Sequence, residues 1–216
     1  MIRQGLLIGF SGENLVIQTQ ENSREEIMAK KINRVEIRFD DGRTITADQR
    51  KKAYAIIGEI SRWSGYLPEE AKEWLKFYFT AIYGQLEYFS LSDCSVTTAR
   101  EFISYLIDFC LKHDVPCRDS LKDLTDDIGR YLYSCLVNKR CCICGKPADF
   151  HHCEGSRVGM GRDRTEVPLL GVDGMALCRE HHTECHTIGE ETFCNKHHVY
   201  GLKIDDELLE KMKNKE

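Results

Sequence analysis

No apolar run in this sequence reaches the roughly 18 residues that a membrane span needs, so a bilayer is not among the expected partners. The apolar stretch after Met1-Ile2-Arg3-Gln4-Gly5 is too short for a signal peptide. There is no excess of positive charge either. The formal net charge is −5, which argues against a protein that coats nucleic acid by charge alone. No internal repeat and no low-complexity tract is present. Residues 1–138 carry no catalytic constellation. Eleven cysteines without an export signal are expected to be reduced thiols and metal ligands rather than a disulfide framework. A cytosolic location follows as an expectation.

What is present suits a soluble protein of one domain or two small ones. The chain has 216 residues, 42 % of them hydrophobic and 30 % charged, enough to bury a core. Local basic stretches exist within the acidic whole. Residues 24–52 hold nine Lys or Arg against six Asp or Glu, and residues 139–164 hold six against three.

Residues 1–48 read as β-rich. Leu15-Val16-Ile17 is a short apolar run, and Arg34 to Phe39 alternates polar and apolar with the period of a half-buried strand. Asp40-Asp41-Gly42-Arg43 signals a hairpin turn, with Thr44-Ile45-Thr46 as the return strand. Asp48 is expected to cap a helix through Ala53, Ile56, Ile57 and Ile60. Pro68-Glu69-Glu70 opens a second helix, and Ser92-Asp93-Cys94-Ser95 leads into a third that stops before His113. A fourth runs from Leu121 to Leu136. Composition shifts near Asn138-Lys139-Arg140, so the expected organisation is a unit over 1–138, a second over 139–204 and a charged tail or short helix over 205–216.

The second unit holds the chemistry. Seven of the eight histidines lie from His151 onward, and seven of the eleven cysteines lie between Cys141 and Cys194. Cys141-x-x-Cys144-Gly145 has the spacing of a zinc knuckle, in which a glycine lets the backbone fold round the ion. Cys178-x-x-His181 is a second half-site of the same spacing, and the four together would close a structural Zn2+ site. Cys142 could replace Cys141, although two intervening residues fit a knuckle better than one. A second set nests inside the first. His151-His152 sits on a short strand, and His182 and His186 share one helix face at i and i+4. His181 and His182 are about 100° apart round that helix, so each can face a different ion.

In this pattern the chain resembles the HNH, or ββα-metal, endonuclease superfamily over about residues 141–190. The stretch Met175 to His182 resembles that family's last element, with His181 where a cysteine is more usual. The resemblance implies that His152 is the general base and that His151, His182 and His186 hold a catalytic divalent metal (Mg2+, Mn2+, Ni2+ or Zn2+). It implies that Asp173, nine residues before His182, stands for the motif's asparagine. An aspartate accepts hydrogen bonds but cannot donate the amide ones. The Gly155 to Arg164 stretch, with Arg157, Arg162 and Arg164, reads either as a basic loop for phosphate or as an ordinary solvated loop. Arg50-Lys51-Lys52 carries the same two readings. The aromatics of the first unit, Trp63 to Phe89, could stack bases but at helical spacings suit a core better.

The first unit also resembles the lambda Orf (NinB) recombination-mediator family, on Pro68 to Leu75, Phe89 to Ser95, and Ala99-Arg100-Glu101-Phe102. That resemblance implies a phage protein of recombination that binds single-stranded or branched DNA as a homodimer, in a bacterial host's cytoplasm, with single-strand-binding protein as a partner. The expected fold class is α+β: a mixed strand and helix unit followed by a small zinc-stabilised ββα-metal unit. The expected function is a metal-dependent DNA endonuclease. The alternative is a non-catalytic single-strand-binding mediator with an architectural zinc module. A zinc-finger regulator fits poorly, because the cluster has histidines beyond those a closed zinc site uses.

Overall fold

Gly12 turns the chain at a positive φ of 62°, a region that glycine enters without a steric penalty. The turn joins β1 (Gly5–Ser11) to β2 (Asn14–Thr19) in an antiparallel hairpin that shifts register between Leu7 and Gly9. The Leu15-Val16-Ile17 run lies in β2, yet Leu6, Ile8 and Phe10 on the facing strand are exposed. Helix α1 (Ser23–Ala29) follows. The computed structural model describes residues 5–19, 23–29, 31, 37, 42–83, 88–153 and 169–214. The alternating segment from Arg34 to Phe39 therefore lies almost wholly outside the described residues, as do Asp40 and Asp41.

Thr44-Ile45-Thr46 is not the expected return strand. Thr44 makes an isolated antiparallel bridge to Ser95, and the Ile45 amide donates to the Cys94 carbonyl at 2.7 Å. Ile45 is buried, and Thr46 leaves the bridge to cap α2 (Ala47–Ser64). The cap also differs from the expected Asp48. Gln49 N–H donates to Thr46 Oγ1 at 3.1 Å while Thr46 N–H donates to Gln49 Oε1 at 3.1 Å. This reciprocal box satisfies two orphan amides at once, which Asp48, already inside the first turn, cannot do. Asp48 instead pairs with Lys52 at 2.9 Å.

Helix α3 (Pro68–Tyr83) begins at its proline, and α4 (Val96–His113) begins at Ser95, whose hydroxyl accepts from Thr98 N–H at 3.0 Å. Ile56, Ile57 and Ile60 of α2, Leu75 and Phe79 of α3, and Phe102, Ile103, Leu106 and Ile107 of α4 are all buried together. Phe79 and Phe102 meet edge to face, centroids 5.3 Å apart, a favoured aromatic geometry.

The fourth expected helix is two. α5 (Leu121–Leu124) stops, and α6 (Ile128–Asn138) restarts because Asp127 accepts from Arg130 N–H at 3.0 Å. An aspartate that caps a new helix also ends the old pattern. α6 packs on α4 on one side and on the second half of the chain on the other. Asn138 donates to Asp108 at 3.0 Å on the first side, and the Tyr131 hydroxyl donates to the Cys142 carbonyl at 3.2 Å on the second.

That second half contains β3 (Asp149–His152), β4 (Asp173–Leu177), α7 (Arg179–Ile188), α8 (Glu190–His197), β5 (Leu202–Lys203) and α9 (Asp206–Lys213). The strands form one antiparallel sheet in the order β3-β4-β5. The protein is thus a mixed α+β molecule with two small sheets among its described residues. Among them, no helix is long and apolar enough to cross a membrane.

Candidate metal centres

The knuckle is a tight turn. Gly145 takes a φ of 71° and returns its N–H to the Cys141 carbonyl at 2.8 Å, while Cys141 N–H donates to the Lys146 carbonyl at 2.8 Å. Cys178 is the N-cap residue of α7, and His181 follows in the first turn of that helix. The four donors of Cys141, Cys144, Cys178 and His181 lie within 4.8 Å of one another. Cys141 Sγ is 3.5 Å and Cys178 Sγ 3.2 Å from His181 Nδ1, and Cys144 and Cys178 sulfurs are 3.7 Å apart. Donors bound tetrahedrally to zinc at ordinary Zn–S and Zn–N lengths are separated by about 3.5–3.8 Å. The set therefore fits zinc in number, chemistry and spacing. Cys142 stands apart from it: its thiol is buried, and its N–H donates to the Ala176 carbonyl at 3.0 Å.

The electrostatics are divided: burial and the neighbouring thiols push the Cys144 thiol up to about 12, while Cys178 and His181 favour ligation. Burial opposes ionisation of Cys178, but the N–H of His181 and the neighbouring thiols outweigh it and hold the thiol below its ordinary value. Burial also lowers the His181 imidazole, which favours the neutral form that binds metal. Lys146 and Glu180 close the knuckle onto α7 at 2.8 Å, an exposed pair that adds little stability.

The second group is built from β3 and α7. His151, His182 and His186 bring their donor atoms within 4.8 Å of one another. Ring centroids are 4.7 Å apart for His151 and His182, 5.2 Å for His151 and His186, and 4.7 Å for His182 and His186. His151 is 1 % exposed, whereas His186 is open to solvent. Neighbouring helix positions thus serve different groups, with His181 among the cysteines and His182 against His151. Three neutral imidazoles suit a divalent first-row ion and leave positions open on it.

Strand alternation separates His151 from His152. His152 shares its side of β3 with Phe150, the two rings edge to face at 4.8 Å. His152 pairs with Gly174 across the sheet, and a Cβ on Gly174 would lie 2.0 Å from Phe150 Cζ. Gly174 is therefore required for Phe150 to lie where it does beside His152.

Asp173 opens β4 and is exposed; its carbonyl accepts the Cys153 amide at 2.9 Å, which ties the chain just past His152. Arg157, Arg162 and Arg164 lie outside the described residues. Arg50 is turned towards the chain, Nε donating to the Leu91 carbonyl at 2.8 Å and Nη2 to the Ser92 carbonyl at 2.7 Å. Lys52 is held by Asp48 and, at 2.7 Å, by Asp126, while Lys51 is exposed.

Residues 17–216 match the family described as "Putative HNHc nuclease". This chain belongs to that family. No curated protein and no solved structure matches it. Membership of the HNH nuclease family supports hydrolysis of nucleic-acid phosphodiester bonds, and two donor clusters are available to the divalent metals that such chemistry uses. Sequence reasoning missed two residues in this HNH chain. Cys185 sits at i+3 from His182, a spacing that was visible but overshadowed by the histidines. Gly174 follows Asp173, and nothing in a single glycine announces the ring that covers it.

Proposed function

We propose that this chain is a metal-dependent DNA endonuclease whose β3, β4 and α7 form the ββα-metal element. The observation that carries the reading is the second donor group. A structural zinc site is complete with Cys141, Cys144, Cys178 and His181, and it has no use for His151, His182 and His186. Those three would hold the catalytic ion. Bound there, a divalent ion would polarise the scissile phosphate and stabilise the departing 3′ oxygen.

The chain's own residues supply the rest. His152 takes a proton from a water molecule, and the hydroxide so formed attacks phosphorus as the P–O3′ bond breaks. Phe150 limits the travel of the His152 ring. The Asp173 carbonyl holds the Cys153 amide just past His152, and the Asp173 side chain would stand for the family's asparagine. The cysteine-rich site fixes the knuckle to the start of α7, so that His182 and His186 face β3.

Residues 1–138 would deliver the substrate, single-stranded or branched DNA, and carry the homodimer contact. This part of the proposal rests on the resemblance to phage recombination mediators, which also brings in a phage setting, a host cytoplasm and single-strand-binding protein as a partner. Arg157, Arg162, Arg164 and the exposed Lys51 are the proposed phosphate contacts.

The test is cleavage of supercoiled plasmid, single-stranded and branched DNA by wild type and His152→Ala, with Mg2+, Mn2+ and Ni2+ in turn. Cleavage by wild type and its loss in the variant are expected. A wild type that binds single strands but cuts nothing under any metal would instead fit a recombination mediator.

A further inference from the structure

Cys185 belongs to neither donor group, yet it is only 2 % exposed and lies at i+3 from His182 on α7, turned inward where the next residue, His186, is open to solvent. Its Sγ is 3.5 Å from His151 Nε2, and both partners are buried where α7 meets the sheet. An imidazole that binds a cation offers one nitrogen and carries its proton on the other, so the partner of the second nitrogen decides which one is offered. If the thiol donated to Nε2, the ring proton would sit on Nδ1 and that nitrogen would have no lone pair to give. If Nε2–H donates to sulfur, Nδ1 is the ligand atom.

We infer that Cys185 is a positioning residue for the histidine centre: its sulfur accepts the Nε2–H of His151 and commits that ring to offering Nδ1 to a divalent cation. The inference rests on the proposed role of His151, His182 and His186 as cation ligands. Carboxylates and backbone carbonyls are the usual partners of a ligating histidine. A buried thiol does the same here without bringing a charge under the sheet, where a carboxylate would be heavily penalised.

The experiment uses the full chain with its cysteine-rich site loaded with zinc. Mn2+, a poor match for thiolates and so unable to displace the zinc, is then titrated by calorimetry into wild type, Cys185→Ala, Cys185→Ser and His186→Ala. Cys185→Ala should weaken Mn2+ binding roughly 10- to 100-fold, the usual effect of removing such a partner. Cys185→Ser, which keeps an acceptor, should recover most of that loss, and one zinc per chain should remain throughout. Nitrogen-15 NMR of wild type should show the His151 proton on Nε2, a readout that survives if an alanine variant folds poorly. Wild-type affinity in Cys185→Ala, or a proton on Nδ1, overturns the inference while leaving the cation site intact. A thiolate-to-metal charge-transfer band with Co2+ at this centre, lost in Cys185→Ser, overturns it by making Cys185 a ligand. Absence of Mn2+ binding in wild type, with His186→Ala unchanged, overturns both the inference and the proposed nuclease centre.

Discussion

The far end of the Phe150 ring lies over the backbone of Gly174, close enough that a Cβ there would meet its Cε2 at 2.4 Å. The same ring touches His152. Gly174→Ala should therefore displace Phe150 and with it His152. The expected stability loss is about 1–3 kcal/mol, typical of overpacking, with a larger proportional loss of cleavage. Thermal unfolding and plasmid nicking check the two parts. Removing the obstruction, in Gly174→Ala with Phe150→Ala, should restore stability beyond the sum of the single changes, as coupled neighbours do. Additive losses would show that the ring does not transmit the effect.

His151 and His152 adjoin in sequence and face opposite sides of β3, so their alanine variants should fail differently. His151→Ala should lose divalent-ion binding, read by calorimetry. His152→Ala should bind the ion normally and cleave roughly 100- to 10,000-fold more slowly, the scale of a lost general base. Equal ion affinity in the two variants would dissolve the division of labour.

Cys144→Ser should release zinc and loosen the second half of the chain, because the energy of a structural zinc site is folding energy. Limited proteolysis should cut first between Arg140 and α7. Chelation of the wild type should give the same fragments. A variant that keeps its zinc and its protease resistance would remove Cys144 from the site.

Acid should weaken the same region. In the folded chain stripped of metal, burial holds His181 below its ordinary value of 6.5. The unfolded chain therefore binds more protons between the two values, so this contribution to stability is complete above about pH 6.5 and is lost as pH falls towards the lower folded value. Glu184, whose carboxyl is lowered by hydrogen bonds from Lys196 and His197, adds a loss of the same sign further into acid. Melting temperature of the chelated chain measured from about pH 8 to pH 5 should fall. A flat wild-type profile would contradict the assignment.

The two candidate donor clusters were legible because their constraints are local. Knuckle spacing and the i, i+4 pair are written within a few residues, and the structure gathers Cys141, Cys144, Cys178 and His181 apart from His151, His182 and His186. The helical body was legible for the same reason, from the period of its isoleucines and aromatics. Thr44 to Thr46 was not, since the partners of Ile45 and Thr44 at Cys94 and Ser95 are about fifty residues away and local alternation cannot show them. The split between α5 and α6 turned on whether Asp127 faces solvent or folds back on Arg130 N–H, a choice that composition leaves open. Phe150 over Gly174 is a contact between strands, invisible until their register is known.

Helix α6 has one further consequence. Its Tyr131 hydroxyl holds the Cys142 carbonyl beside the knuckle, and Gly129 lies so near Tyr200 that a Cβ there would come within 2.9 Å of the phenol oxygen. A fragment that starts at Lys139 would leave this roof behind and bare the apolar back of β4. The smallest piece able to fold and cut on its own should begin before Asp127, carrying α6 as a shared beam. Whatever strains that beam from the first half would then be felt at the metal ligands.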